Sequence, residues 1–315
     1  MILPTVHLPA VYRVSDVHSE GGQALHCSMC LQVLFDAVEN CVLLVDEGGA
    51  LRTELARAVR AWPIKHRKRG EALLHRLNDR HRFVEVPTPS VANGRSSLCT
   101  VALAVAATDG TAWTIVPTTC TCSMIACSGA NNARVVRLAE YTASEFNERR
   151  RAAARLDAAD GEWTRGRFEH EVWRPLFTFA RFVHLHDKSV GSKATVDGPA
   201  PNFRRTLEWI LTLFLRHSQR KSSDRPFKIY TVFPHDDLAA CRAIKDYALS
   251  LEREHAFPVQ ILHARVGHDR YLFTDQIGLK VSRGFDLLGE DTSAGPRQKV
   301  RAVSLDLFRP FEDLS

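Results

Sequence analysis

His268-Asp269-Arg270-Tyr271-Leu272-Phe273-Thr274-Asp275 runs on into Gly278-Leu279-Lys280-Val281-Ser282-Arg283-Gly284-Phe285-Asp286-Leu287. An imidazole, a guanidinium and a carboxylate stand on one short apolar strand, and a second strand ends in Ser-Arg-Gly. Alternation along the first strand sends His268, Arg270, Leu272 and Thr274 to one face, and Asp269, Tyr271, Phe273 and Asp275 to the other. A His beside an Arg suits a phosphate. The guanidinium grips oxygens as a fork, and the imidazole can attack phosphorus or move a proton.

Outward from this hairpin, the second half of the chain alternates strand and helix. Arg181 to His186, Lys228 to Phe233 and Val259 to Ala264 read as strands, with a last one near Ala302 to Phe308. Pro201 to His217 and Asp237 to Glu254 read as helices. In the first of these, Leu207, Ile210, Leu211, Phe214 and Leu215 follow the stripe of a core-facing helix. The spacing His-x-Arg-x4-Asp, with Arg in place of Lys, is similar to the His-x-Lys-x4-Asp box of the phospholipase D superfamily. The longer run to Arg283-Gly284-Phe285-Asp286 resembles the phospholipase-D-like domain at the C-terminus of MIT-domain proteins, and its bacterial relatives. The resemblance covers about Phe179 to Ser315.

That resemblance implies metal-independent chemistry with no cofactor. One His attacks phosphorus, a second protonates the leaving oxygen, and an Asp holds the nucleophile in its reactive tautomer. Carried onto this sequence, His268 is the nucleophile, Arg270 the oxygen clamp and Asp275 the orienter. Ser282 resembles the Ser that follows the box, and with Arg283 it is read as phosphate-binding. A second half-site within the chain would be His186 and Lys188, although Lys193 stands where its Asp belongs. A partner subunit could supply that half instead, which makes a homodimer attractive. Asp187-Lys188 also fits a structural or ligand-facing loop, as in the MIT-type relatives. Two further readings stand beside catalysis: a buried polar network that only stabilises the hairpin, and a phosphate-binding surface without turnover.

The first half also alternates. Gly22 to Glu39, Leu51 to Trp62, Glu71 to Arg80 and Leu98 to Ala107 read as helices; Cys41 to Asp46, Arg82 to Val86 and Ala112 to Val116 read as strands. Val42-Leu43-Leu44-Val45-Asp46, Leu51 to Glu54 and the helix-turn-strand from Val101 to Val116 resemble the PIN-like nuclease fold. PIN enzymes gather carboxylates around a divalent metal, the first at the end of strand one, where Asp46 sits. Further acids expected there are replaced by Ser97-Leu98-Cys99 and Pro117-Thr118-Thr119-Cys120, and Glu54, Asp79 and Asp109 make a poor cage. The half reads as a degenerate PIN-like domain that has lost its metal. Asp46 also fits a helix cap or turn former.

The expected organisation is therefore α/β throughout. A PIN-like α/β domain spans 1–148, a connecting helix and loop 149–173, and a phospholipase-D-like α/β domain 174–315. Apolar content of 45% and charged content of 25% fit an ordinary globular protein. No apolar run is long enough for a transmembrane segment and no signal peptide is recognisable, so a cytoplasmic location is expected. The net charge of +6 leans toward polyanionic partners. Its clusters, Lys65, Arg67, Lys68 and Arg69, then Arg149 to Arg151, then Arg204 and Arg205, point to nucleic acid more than to solvated helix faces. Cys27-x-x-Cys30 and Cys120-x-Cys122 invite zinc, but Cys27 and Cys30 fall within the amphipathic stretch Ala24 to Val38. The eight cysteines are read as reduced thiols holding no metal. Two functional classes remain: a metal-independent nuclease or phosphodiesterase, by analogy from fold of an antiphage or toxin-type system, and a binding module of inactive nuclease-like folds for nucleic acid, lipid headgroups or a subunit.

Overall fold

Val42 to Asp46 is buried at every position, which a strand achieves only in the middle of a sheet covered on both faces. A computed structural model of the chain, describing residues 5–7, 20–87, 113–118, 134–282, 284–288 and 298–308, shows how this is done. The chain forms two compact units, one ending at Ala152 and the next beginning at Ala153. Both are α/β, each with its own sheet.

The first unit carries β1 (Thr5–His7), α1 (Glu20–Asn40), β2 (Val42–Asp46), α2 (Ala50–Arg60), α3 (Ile64–Asp79), β3 (Phe83–Val86), β4 (Trp113–Val116), β5 (Arg134–Arg137) and α4 (Glu145–Ala153). Its sheet is parallel throughout, in the order β3-β2-β1-β4-β5. The core joins Cys27, Cys30, Leu34 and Val38 of α1 to Leu43, Val59, Leu77, Trp113 and Phe146. Burial pushes the Cys27 thiol up to about 11 and the Cys41 thiol to about 12, so both pack as protonated apolar groups. Cys99, Cys120, Cys122 and Cys127 lie outside the described residues, as does the expected helix Leu98 to Ala107. A buried polar network pins α1: Asp36 pairs with Arg150 at 3.1 Å and accepts from the Tyr141 hydroxyl at 2.9 Å.

The helix expected from Glu71 begins seven residues earlier, at Ile64, so the basic knot is itself helical. Pro63, extended at φ −52°, ψ 141°, starts it. Gly70 then lets it close on the α2 corner, since a Cβ there would lie 2.7 Å from Val59 and 2.9 Å from Trp62.

The second unit carries β6 (Arg155–Ala158), α5 (Arg165–Phe168), a π turn (Glu169–Trp173), α6 (Arg174–Phe177), β7 (His184–His186), α7 (Lys188–Ser192), α8 (Pro201–His217), β8 (Phe227–Thr231), α9 (Leu238–His255), β9 (Val259–His263), β10 (Arg270–Phe273), β11 (Gly278–Val281) and β12 (Val303–Phe308). The sheet order is β6-β12-β11-β10-β7-β8-β9, with β7, β8 and β9 parallel and the other pairs antiparallel. Leu207, Ile210, Leu211 and Phe214 of α8 are buried as the periodicity predicts, with Leu215 half-buried. They meet an aromatic cluster in which Trp173 stacks on Phe177 at 5.5 Å and Phe214 meets Phe177 edge-on at 5.9 Å.

The segment 149–173, expected as a connector, is instead divided between the units. Its first residues finish α4, Arg155–Ala158 pairs with β12 as an edge strand, and Phe168 and Trp173 are fully buried. Apolar Leu156, Ala158, Phe168 and Trp173, spaced among charges, are what draw it in. Gly70→Ala is expected to destabilise the first unit by about 1–3 kcal/mol through overpacking. Gly166→Ala, where a Cβ meets nothing within 4 Å, should leave α5 as stable or more so. Amide hydrogen exchange, read helix by helix, checks both.

Candidate functional site

Parallel β7, β8 and β9 end at one edge of the sheet, where open α/β sheets ordinarily place their ligands. Asp187 follows β7 there and is fully buried. Its Oδ1 accepts from the Ser189 N–H at 2.8 Å and caps α7. Its Oδ2 accepts from the Phe285 N–H, also at 2.8 Å. The Arg270 Nε stands 3.8 Å from Oδ1. Burial pushes the Asp187 carboxyl up from its ordinary value, against the opposing pull of the two N–H groups and Arg270. Gly284, at φ +90°, is required: a Cβ there would sit 2.5 Å from Asp187 Oδ2. Beside it the Thr231 hydroxyl donates to the Asp187 carbonyl at 2.7 Å and accepts from the Gly191 N–H at 2.8 Å.

The motif residues divide along this frame. Strand β10 starts at Arg270, so His268 lies before it, exposed and outside the alternation expected for it. Arg270 faces the interior with Leu272 and is bound to Asp187. Asp275 sits in the turn at the other end of β10, fully enclosed. There its Oδ1 accepts from the Arg181 N–H at 2.8 Å, and the Arg181 Nε lies 3.8 Å from Oδ2. The expected triad is therefore corrected: Asp275 holds the chain before β7, and a four-residue strand separates it from His268. Two acids near Arg270 in sequence pair elsewhere, Asp269 with Lys280 at 2.9 Å and Asp286 with Arg301 at 2.7 Å.

The second half-site does not converge either. His186 is paired across the sheet with Tyr271, and so points away from the face that holds Arg270. Its ring stacks on Tyr230 at 4.5 Å and meets Phe273 edge-on at 5.1 Å, and burial holds its pKa below the ordinary value. Lys188 opens α7 and is half-buried. Ser282 accepts from the Ser304 N–H at 2.8 Å, and Arg283 lies outside the described residues. Of the α8 pair, Arg205 lines a cavity of about 460 Å³ together with Arg165, Glu208, Trp209, Glu254 and His255. The carboxylates there oppose a polyanion.

In the first unit both oxygens of Asp46 are occupied by helix α2, accepting from the Ala50 N–H at 2.9 Å and the Leu51 N–H at 2.6 Å. Asp46 thus holds the first N–H groups of α2, whose N-cap is Gly49, and Glu54 is ion-paired with Arg57 on the same helix. Lys65, Arg67, Lys68 and Arg69 occupy the first two turns of α3, a helix with no acid in its first turn. They form no ion pair among the described residues. Thr231, Gly191 and Gly284 complete the Asp187 frame without a motif in the sequence to announce them; the one trace is the Ser-Arg-Gly that ends in Gly284, three residues past β11. No family model and no curated protein matches the chain.

Asp187→Asn turns one acceptor into a donor facing a backbone N–H and leaves Arg270 without its counter-charge. A loss of about 3 kcal/mol is expected, measured by denaturant unfolding of this unit. His184, one residue before Leu185 on β7, has its pKa pushed down to about 4 by burial and then by Lys228, His186 and Arg225. A base held below its unfolded value of 6.5 costs stability as acid is added. Stability should therefore fall as pH drops from 6.5 toward 4, and His184→Phe should flatten that fall.

Proposed function

We propose that the chain is a non-catalytic nucleic-acid-binding protein, built from a degenerate PIN-like unit and a phospholipase-D-like unit whose catalytic box serves structure. The basic start of α3 carries this reading. Four cations within two turns repel one another and oppose the positive end of the helix dipole; the first turn holds no acid, and Glu71, four residues after Arg67, is the first to follow. Gly70 and Pro63 nevertheless hold the turns rigidly against the α2 corner. Cations concentrated on a fixed element fit a surface that receives phosphates. Arg60, exposed at the end of α2, adds to it. In the other unit the oxygen clamp of the box is bound to Asp187 and its carboxylate to Arg181, which supports binding over turnover.

Fluorescence anisotropy with labelled DNA across a salt series tests this. Affinity should fall steeply with salt, and replacing Lys65, Arg67, Lys68 and Arg69 by Ala should lower the log–log slope by roughly 3. The same replacement should stabilise α3 by a few tenths of a kcal/mol. Binding unchanged by it would remove α3 from the interface. Hydrolysis that resists EDTA and disappears in His268→Ala would replace binding with catalysis.

A further inference from the structure

Helices α8 and α9 join β7, β8 and β9 by crossovers that run the same way, so both cover one face of the second sheet. That face holds Leu185, Phe227, Ile229, Leu272 and Leu279, all buried. The alternate residues make the opposite face. There Tyr230 stands beside His186, His186 beside Tyr271 and Tyr271 beside Lys280. The neighbouring row is Lys228, His184 and Phe273. Phe182 extends it, stacked on His184 at 4.4 Å, and the Arg225 guanidinium lies over Phe182 at 5.9 Å.

A sheet face that meets solvent ordinarily carries polar side chains. Here rings cross three adjacent strands: His186 lies against Tyr230, and Tyr271 stacks on Phe273 at 5.6 Å. Tyr230, His184, His186, Tyr271 and Phe182 are half-buried, and Phe273 is buried. Positive charge beside them comes from Arg225 and Lys228. The carboxylates at the margin are engaged, Asp269 by Lys280 and Asp306 by Arg155 at 3.8 Å. Flat π surfaces beside cations match a chain of bases linked by phosphates, provided the bases are not already stacked in a duplex.

We propose that this ring face binds single-stranded nucleic acid, with bases stacking among Tyr230, His186 and Tyr271 and phosphates drawn to Arg225 and Lys228. The proposal rests on the nucleic-acid reading above but on different residues. The test compares a labelled twelve-nucleotide oligothymidine with a duplex of equal length, by anisotropy on the full chain. Tyr230→Ala and Tyr271→Ala should each weaken single-strand binding roughly five- to hundredfold and leave duplex binding unchanged. Tyr271→Phe, which keeps the ring, should retain the affinity, and Lys228→Gln should weaken it without touching a ring. Circular dichroism confirms that each variant is folded. Equal affinity for both oligonucleotides, with no change in the tyrosine variants, would overturn the ring face while leaving the α3 surface standing. No binding to either at low salt would overturn both. A dimer that Tyr271→Ala dissociates would assign the face to a second copy of the chain and refute the proposal.

Discussion

A carboxylate without contact to water persists in a fold only when its oxygens are met by donors, and Asp187 sets that condition on everything around it. One oxygen starts α7, the other ties the chain after β11, and a guanidinium supplies the opposite charge. Meeting these requirements fixes where β7 ends, which way Arg270 turns and why a glycine must stand at 284. Thr231 and Gly191 extend the same frame to β8, since a Cβ at Gly191 would lie 2.5 Å from the Val232 carbonyl. The first unit repeats the device on a smaller scale around Asp36, which Arg150 and Tyr141 satisfy.

This frame explains how far the sequence could be read. The amphipathic stripe of α8 and the alternation of β8 and β9 are long enough to declare themselves, and the α/β class follows from them. Strands of three or four residues, such as β1 and β6, carry too few alternations to stand out from a loop. Helix α3 was read late because its first turns are charges, and helical periodicity is visible only where apolar residues recur, here at Leu73 and Leu77. The hairpin shows a different limit. His268, Arg270 and Asp275 have the residue types of a phosphoryl-transfer site, but composition does not say where a strand begins. A start at Arg270 leaves the His outside and gives the Arg to Asp187, at another strand's end, as its partner.

The two units differ in what they do with charge. In the second, the Arg and Asp of the box are met inside the fold by Asp187 and Arg181, and what it offers outward is rings. In the first, cations are concentrated at a helix start where they oppose the field of the backbone. Departures of this kind from locally favourable sequence are expected where function, rather than stability, has chosen the residues.

The pairing of β6 with β12 bears on how the second unit comes into being. Arg155 lies opposite Asp306 and Leu156 opposite Leu305, so the earliest strand of the unit is joined to the sheet only through its latest. On a ribosome, β7, β8 and β9 can pair as they emerge, whereas β6 must wait for nearly the whole unit to be made. Until then its backbone groups and those of β11 present open strand edges, the kind that invite pairing with other nascent chains. Within β6 itself, Arg155 and Asp157 place charge on that waiting edge.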